Sequence, residues 1–273
     1  MNTSPTLRLA LLGTAVALSL AACNRDPKPA EGQQAEASAA AEGPLSYESA
    51  TPYAKVKLTL PEAVKAFPEL YQKLYSEEVG KLKDYTEGAQ SDRSEFGSAD
   101  LPPYEKQIIY SNPVETDRLF SMLRTDFDYS GGAHPNTYAT GLLWDKTSKK
   151  FLTAADLFAA DADKAALGRT LCDAVNQAKK GREGAIPLGG SDGMWTCPDL
   201  KKVPVVLAAS DAAGKASGIT FLLNAYDVGP YVEGAYYLTI PFATLGKGLN
   251  PVFAADFGGT GKTGDVTNAL SPE

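Results

Sequence analysis

The chain has 273 residues, with 26 lysines and arginines against 33 aspartates and glutamates, and 44% of its residues are hydrophobic. This composition is typical of a globular protein and excludes collagen, a membrane helix bundle and a fully disordered chain. The single histidine excludes any site that needs two imidazoles from one chain. The net charge of −7 argues against a nucleic-acid groove. We predict no cofactor and no bound metal.

The first 23 residues have the pattern of an export signal. Arg8 is the only charge among the first 22 residues, and the apolar stretch that follows it is too short to span a bilayer comfortably. This stretch ends in Leu20-Ala21-Ala22-Cys23, which has the spacing of a bacterial lipobox. We therefore expect residues 1–22 to be a lipoprotein signal peptide and Cys23 to be lipidated. An ordinary signal peptide with an accidental cysteine is the alternative.

The processed chain would be more acidic than the precursor. Removal of residues 1–22 takes away Arg8 and leaves 25 basic against 33 acidic residues, a net charge of −8. Lipoproteins with a residue other than aspartate after the lipidated cysteine, as Asn24 is here, are sorted to the outer membrane in Gram-negative hosts. We therefore expect a lipid-anchored protein of the cell envelope, facing the periplasm or the surface if the host is Gram-negative.

Composition divides the rest of the chain into three parts. Residues 23–46 contain Pro, Gly, Gln, Glu and Ala with almost nothing large and apolar, which predicts a flexible tether. Residues 47–253 are predicted to form a single domain. Residues 254–273 are rich in Gly and Thr without periodicity and are predicted to be a loosely ordered tail.

The first half of the domain reads as a strand, a helix and a pair of strands. Alternating residues predict a strand over 55–60, and apolar residues at helical spacing predict a helix with Pro68 in its first turn. Residues 86–101 are polar and predict a mobile loop. Strands are expected over 104–111 and 118–129, separated by a turn at 112–115, and the second strand is expected to have one buried and one wet face.

The second half contains one more helical segment and several strands. A strand is predicted over 137–144 and a helical stretch over 154–180, which Gly181 ends. Further strands are expected near 203–209, 219–226 and 235–240. Because strands follow one another in pairs and helices interrupt only twice, the predicted fold class is α+β, with a mostly antiparallel sheet and two main helical segments packed on it.

Two cysteines remain once Cys23 is assigned to the lipid. Cys172 and Cys197 form an even pair in an oxidising compartment, which predicts a disulfide. The alternative is a free reactive thiol, but neither cysteine has a nearby basic group in sequence that would lower its pKa.

One set of residues would permit catalysis. Asp126 and Asp128 lie two apart on a predicted strand and share a face, and His134 follows them. Together they could form the acid and base of a small hydrolase. However, charged residues on the wet face of a strand are far commoner than catalytic pairs, and a lone turn histidine before a proline more often makes backbone hydrogen bonds. We therefore predict no enzymatic activity.

Two motifs about a hundred residues apart carry a resemblance to a known family. The first is the run Tyr129-Ser130-Gly131-Gly132-Ala133-His134-Pro135-Asn136, and the second is Tyr226-Asp227-Val228-Gly229-Pro230-Tyr231. With the elements between them, they resemble the extracellular domain shared by the anti-sigma factor RsiV and the N-terminal part of the peptidoglycan deacetylase PdaC. The resemblance covers about residues 50–250.

The resemblance implies an α+β domain that binds rather than catalyses, since the domain recognises lysozyme in RsiV. This chain lacks the cytoplasmic segment of RsiV and the deacetylase domain of PdaC, so the recognition module alone would remain on a lipid anchor. The implied partners are a lysozyme-type muramidase or peptidoglycan. The candidate ligand-binding residues are Tyr129, Gly131, Gly132, His134, Pro135, Asn136, Gly229, Pro230 and Tyr231.

Both motifs are also consistent with simple hairpin corners. The glycines of the first permit positive φ, and its proline stiffens the exit, which gives a rigid projecting turn. A structural envelope protein without a dedicated ligand is therefore the alternative to a binding module. Solvent exposure of His134 and Tyr231 would distinguish the two hypotheses.

Overall fold

The computed structural model describes residues 40–96, 101–189 and 193–270. The elements of the first half, in chain order, are β1 Ser46–Ala50, β2 Ala54–Thr59, α1 Pro68–Glu95, β3 Tyr104–Glu115, β4 Leu119–Tyr129, β5 Asn136–Asp145 and β6 Lys150–Phe151. The elements of the second half are α2 Lys164–Lys179, β7 Val205–Ala209, β8 Ala216–Leu223, β9 Tyr236–Pro241, α3 Phe242–Leu245, β10 Gly264–Asp265 and α4 Thr267–Leu270.

The strands form two sheets, with a helix packed on each. The first sheet has the order β1-β2-β3-β4-β5-β6, and the second has the order β10-β9-β8-β7. Every pair is antiparallel except β2 with β3, which are parallel because α1 carries the chain back between them. The helix α1 packs on the first sheet and α2 on the second. The predicted α+β class with a mostly antiparallel arrangement and two main helices is confirmed.

Strand β4 is buried on both faces, where the sequence predicted one wet face. Phe120 and Met122 pack into the apolar cluster beneath α1. Leu123, on the opposite face, packs against Val206 and Leu222 of the second sheet. The first sheet is therefore covered by α1 on one side and by the second sheet on the other, so alternation along this one strand could not predict its burial.

The charged residues of β4 are paired under the helix. Arg124 makes a bidentate pair with Asp126, with nitrogen–oxygen distances of 2.7 and 2.9 Å, and its Nη1 lies 2.7 Å from the buried carboxylate of Glu78 on α1. Lys106 of β3 lies 3.6 Å from Asp126 and 3.5 Å from Asp128. Because these charged residues are paired, they can lie against α1 without the free-energy cost of burying an unpaired charge.

Helix α1 and strand β3 are both longer than the sequence suggested. The helix has Pro68 at its first turn as predicted, but it continues through the expected loop to Glu95, because Ala89 and Arg93 are buried. Arg93 donates hydrogen bonds to the carbonyls of Leu101 and Pro102. Strand β3 runs through the predicted turn at 112–115, and a bulge there places Asn112 at a φ of 49°.

The ordered domain begins before the predicted end of the tether. The Leu45 carbonyl accepts a hydrogen bond from Leu60, Ala41 donates to the Lys65 carbonyl, and the Tyr71 hydroxyl donates to the Pro44 carbonyl. Residues 41–45 are therefore part of the domain rather than of a flexible tether. The predicted signal peptide and Cys23 lie outside the described residues.

The predicted loosely ordered tail is packed along the residues that are described, 254–270. Phe257 and Val266 are buried, and β10 pairs with β9. The Val266 backbone donates to the Tyr237 carbonyl, and Thr267 Oγ1 accepts from the Tyr237 backbone. The lack of periodicity arises because this segment is a short strand and short turns rather than because it is loose.

Two covalent or ionic ties stabilise the core. The predicted disulfide between Cys172 of α2 and Cys197 is present. At the end of β5, Arg118 pairs with Asp145 through two hydrogen bonds of 2.7 and 3.1 Å. This pairing, with further hydrogen bonds from Ser148 and Thr147, lowers the pKa of the Asp145 carboxyl to about 2.

Candidate functional site

The two motifs that stand a hundred residues apart in sequence lie against each other in space. The first links β4 to β5, and the second follows β8 and leads into β9. The imidazole of His134 stacks on the ring of Tyr231, with ring centres 4.2 Å apart and planes inclined by 22°. Both residues are solvent-exposed.

A single carbonyl group holds this stack together. The Pro135 oxygen lies 2.9 Å from His134 Nδ1 and 3.2 Å from the Tyr231 hydroxyl. Because a carbonyl can only accept, Nδ1 and the hydroxyl are both donors. In the neutral imidazole, Nε2 is then the remaining acceptor and is available to a ligand.

Tyr226 extends the stack and adopts a strained backbone conformation. Its ring centre lies 5.6 Å from that of Tyr231, and 56% of the residue is exposed to solvent. Its φ is 72°, a left-handed value that is an outlier for a bulky residue. Such strain costs on the order of 1–3 kcal/mol and clusters at functional sites.

The turn that carries Tyr231 is fixed by a buried charge pair. Its third residue, Glu233, accepts from Lys179 of α2 at 2.5 Å and from the Tyr236 hydroxyl at 2.6 Å. Both charged side chains of the pair are almost fully buried. Burial opposes ionisation of the carboxyl, but these hydrogen bonds prevail and lower the pKa of Glu233. Gly229 is needed here because a Cβ at that position would overlap the Glu233 carboxylate.

The side chain of Asn224 joins the second motif to strand β5. Its Oδ1 accepts from the Ala139 backbone N–H at 2.6 Å, and its Nδ2 donates to the Ala139 carbonyl at 3.1 Å. Both residues are buried. The amide therefore pairs with the free edge of β5 as a neighbouring strand would, and it fixes the distance between the two motifs.

A third loop completes the surface. The loop that follows α2, which the Cys172–Cys197 disulfide ties back to the helix, places the Ile186 backbone N–H 3.3 Å from Glu233 Oε1. Ile186 is exposed, and Val232 on the neighbouring turn is 90% exposed. We call the set of His134, Ile186, Tyr226, Tyr231 and Val232 the aromatic surface.

The remaining candidate residues support the surface more than they form it. Gly131 and Gly132 both have positive φ, 97° and 101°, as their turn was expected to need. The Tyr129 hydroxyl donates to the Gly132 carbonyl at 3.3 Å and braces the turn.

Two other candidates lie at the margins of the surface. Asn136 is exposed at the first position of β5. Pro230 is half-buried and caps the short turn of Tyr231–Glu233.

Sequence reasoning missed three members of the aromatic surface. Tyr226 was part of the second motif but was not singled out, and Ile186 and Val232 gave no signal in the sequence. A bulky aromatic residue three positions after the end of a buried strand could have suggested a projecting ring. The proximity of Ile186 depends on the disulfide-held loop and could not be read from local pattern.

The contacts of His134 and of the two aspartates lie in different places. In the described part of the chain, its hydrogen bond goes to Pro135, and its ring contacts Tyr231. Asp126 and Asp128 are instead paired with Arg124 and Lys106. Among the described residues, these contacts bring neither aspartate to the imidazole.

Within residues 40–96, 101–189 and 193–270, no group of three or more His, Cys, Asp or Glu side chains is placed to hold a metal ion. No helix in these same ranges is long and apolar enough to cross a bilayer.

Neither a family model nor a curated protein matches this sequence. The chain is similar to the solved structure of a DUF3298 family protein from Pseudomonas aeruginosa, with 15% identity and a TM-score of 0.48 over 76% of this chain and 91% of that one. It is also similar to a DUF3298 family member from Bacteroides fragilis, with 20% identity and a TM-score of 0.49 over 74% of this chain and 86% of that one. Membership of the RsiV and PdaC domain family stays a prediction.

Proposed function

We propose that this chain is a lipid-anchored protein of the bacterial cell envelope that recognises a ligand through the aromatic surface and does not catalyse a reaction. The observation that carries the proposal is the meeting of three loops, distant in sequence, whose exposed side chains include two tyrosines and a histidine. Exposed apolar patches mark interaction sites, and tyrosine is enriched among the residues that dominate binding energy.

The surface is organised before any ligand arrives. Tyr231 is held by its hydrogen bond to Pro135 and by the buried Lys179–Glu233 pair beneath its turn. Asn224 fixes the second motif to β5. Because these residues are already ordered, binding would cost little further conformational entropy. A structural protein would gain nothing from the strain at Tyr226, and its corners would be covered by its own core.

A lysozyme-type muramidase is the ligand that we propose first. These enzymes are usually basic, whereas the processed chain would carry 25 basic and 33 acidic residues, a net charge of −8. Opposite net charges accelerate encounter, and the acceleration falls with ionic strength. Inhibition, if it occurs, would follow from insertion of the turn at 131–136 or the turn at 229–231 into the cleft of the enzyme. Peptidoglycan is the second ligand of this class.

The experiment is a binding measurement on the chain from residue 24 onward. This chain contains the compact unit Ser38–Glu273. It is titrated with a panel of lysozymes and with purified peptidoglycan at two salt concentrations. We expect a saturable lysozyme complex that weakens as salt increases. Tyr231→Ala should weaken it by about 30-fold, which corresponds to a loss of about 2 kcal/mol at a binding hot spot.

Phe151→Ala is the matched control. Phe151 is 40% exposed and Tyr231 is 38% exposed, so the two substitutions remove similar exposed rings. Phe151 pairs with Trp144, eight positions along β5 from Asn136, which is about 27 Å along an antiparallel strand. An equal loss of affinity in the two variants would overturn the proposal. So would the absence of binding to every ligand tested when the protein is folded.

The location is tested separately. Labelling of cells with radioactive palmitate should mark the full chain, and Cys23→Ser should abolish the label. A protein that is exported but never labelled would contradict the lipid anchor while leaving the recognition surface untouched.

A further inference from the structure

A pocket lies beside the face of the second sheet that is turned toward the first sheet, and its lining includes none of the residues of the aromatic surface. It has a volume of about 480 Å³ and is enclosed between β7, the bulge of β3 and the C-terminal segment. That volume lies in the range of small-molecule sites. Its walls are mainly apolar and are formed by Pro113, Val114, Val206, Leu207, Val266 and Leu270.

A pair of threonine hydroxyls lines this pocket. Thr220 and Thr239 are 2% and 4% exposed, and their Oγ1 atoms are 2.7 Å apart. Two hydroxyls carry two hydrogens, and the bond between them uses only one. Among the described residues neither hydroxyl has another partner, so one buried donor is left for an acceptor inside the pocket. A buried donor without a partner costs about 1–3 kcal/mol.

Two charged side chains, Lys262 and Asp211, line the pocket. Lys262 lines it, is exposed, and has no ion pair within the described ranges. The neighbouring Asp211 is already engaged, because its two carboxylate oxygens accept from the backbone and the hydroxyl of Thr260, each at 2.7 Å. These hydrogen bonds lower the pKa of Asp211. The ammonium group of Lys262 is therefore the charged group left to pair with an anion, with the hydrogen-bonded carboxylate of Asp211 beside it.

We propose that this pocket binds a small amphipathic carboxylate whose aliphatic part carries one oxygen acceptor, as in a keto fatty acid. The chain lies among the apolar walls, the carboxylate pairs with Lys262, and the acceptor takes the free hydrogen of the Thr220–Thr239 pair. Each of the three chemical features of the pocket then has a counterpart in the ligand. This site is independent of the aromatic surface, and its failure would leave the proposed recognition function intact.

The test is photoaffinity labelling of the full chain with a decanoate that carries a diazirine, followed by mapping of the labelled peptides. Label is expected in the segments 204–209 and 266–270. Decanoate should compete at about fivefold lower concentration than 1-decanol, and 9-oxodecanoate at about fivefold lower concentration than decanoate, since one added polar contact contributes about 1 kcal/mol.

Two variants test which side chains cause these preferences. Lys262→Ala should erase the advantage of decanoate over decanol, whereas Lys180→Ala, which removes an exposed lysine outside the pocket, should not. Thr220→Val combined with Thr239→Val should erase the advantage of the ketone. Labelling that misses both segments, or a carboxylate preference unchanged in Lys262→Ala, would overturn the proposal. The lysine is on the surface, so this variant is informative even if the threonine variant fails to fold.

Discussion

The amide of Asn224 is the contact whose loss should be easiest to measure. Substitution of Asn224 by leucine removes the side chain that pairs with the free edge of β5 at Ala139. Ala139 is fully buried, so water cannot replace the amide. Both the N–H and the C=O of Ala139 would then be buried without partners, at roughly 1–3 kcal/mol each, which gives roughly 2–6 kcal/mol in total.

Urea unfolding at pH 7, with linear extrapolation to water, gives the free energy of unfolding. Most domains have a stability of only about 5–15 kcal/mol, so the expected loss should move the midpoint strongly. Asn268→Leu, at an exposed position, is the control and should change stability by less than about 0.5 kcal/mol. A loss below about 1 kcal/mol for Asn224→Leu would refute the reasoning that the amide replaces a strand.

A second substitution at the same position uses pH to check the donor and acceptor roles. In Asn224→Asp the carboxylate still accepts from the Ala139 N–H but faces the Ala139 carbonyl without a hydrogen to donate. Burial and this carbonyl should raise the pKa of the new carboxyl, and its protonated form restores both bonds. The stability lost relative to the native protein should therefore be small near pH 4 and should grow as the pH rises to 7. A penalty independent of pH would contradict this assignment.

Three further predictions concern the ties around the core and the surface. Asp145→Asn should lower the free energy of unfolding by about 2 kcal/mol at pH 7. The lowered pKa of Asp145 stabilises the fold above about pH 4, and this stability is lost as the pH falls from about 4 to 2. Acid unfolding that is identical in both proteins would contradict this prediction. Lys179→Met should cost about 3–5 kcal/mol in urea unfolding, since it leaves the Glu233 carboxylate buried alone, and adding Glu233→Gln should restore part of that loss. Replacing Cys172 and Cys197 by serine should lower the free energy of unfolding by about 3–4 kcal/mol. It should also weaken ligand binding, because the loop that carries Ile186 is no longer tied to α2. Unchanged binding would show that this loop is not part of the aromatic surface.

Local pattern predicted the elements that carry a repeating apolar face. Pro68 and the spaced apolar residues after it placed the start of α1, and the paired short strands of the second half gave the α+β class. The same reasoning ended α1 too early, because Ala89 and Arg93 are buried among polar neighbours. It also predicted a wet face on β4, because the sequence pattern does not show that charged residues of this strand form ion pairs with Glu78 and Lys106 of other elements. When a residue is buried by a partner from elsewhere in the chain, the local sequence shows no periodic apolar pattern that would predict its burial.

The sequence predicted only part of the candidate site, for the same reason. Glycines and prolines in the two motifs predicted rigid corners, and Gly131 and Gly132 do adopt the positive φ that their turn was expected to need. That the two corners touch depends on the packing of one sheet on the other and on the bond between Asn224 and Ala139. Asn224 and Ala139 each lie within three residues of a motif, but nothing in the sequence indicates that they pair. The tautomer of His134 likewise follows from a carbonyl contact that only the fold reveals.

The single parallel pairing in the first sheet has a consequence for the order in which the chain folds. Strands β3, β4 and β5 are joined by short connections, so their hairpins can close early and quickly. The β1–β2 hairpin precedes β3 in the chain, yet it can dock only after the whole of α1 has bridged it to β3. Mutations at the β2–β3 seam should therefore accelerate unfolding while leaving the folding rate almost unchanged. The N-terminal edge would be the last part of the molecule to assemble and the first to open.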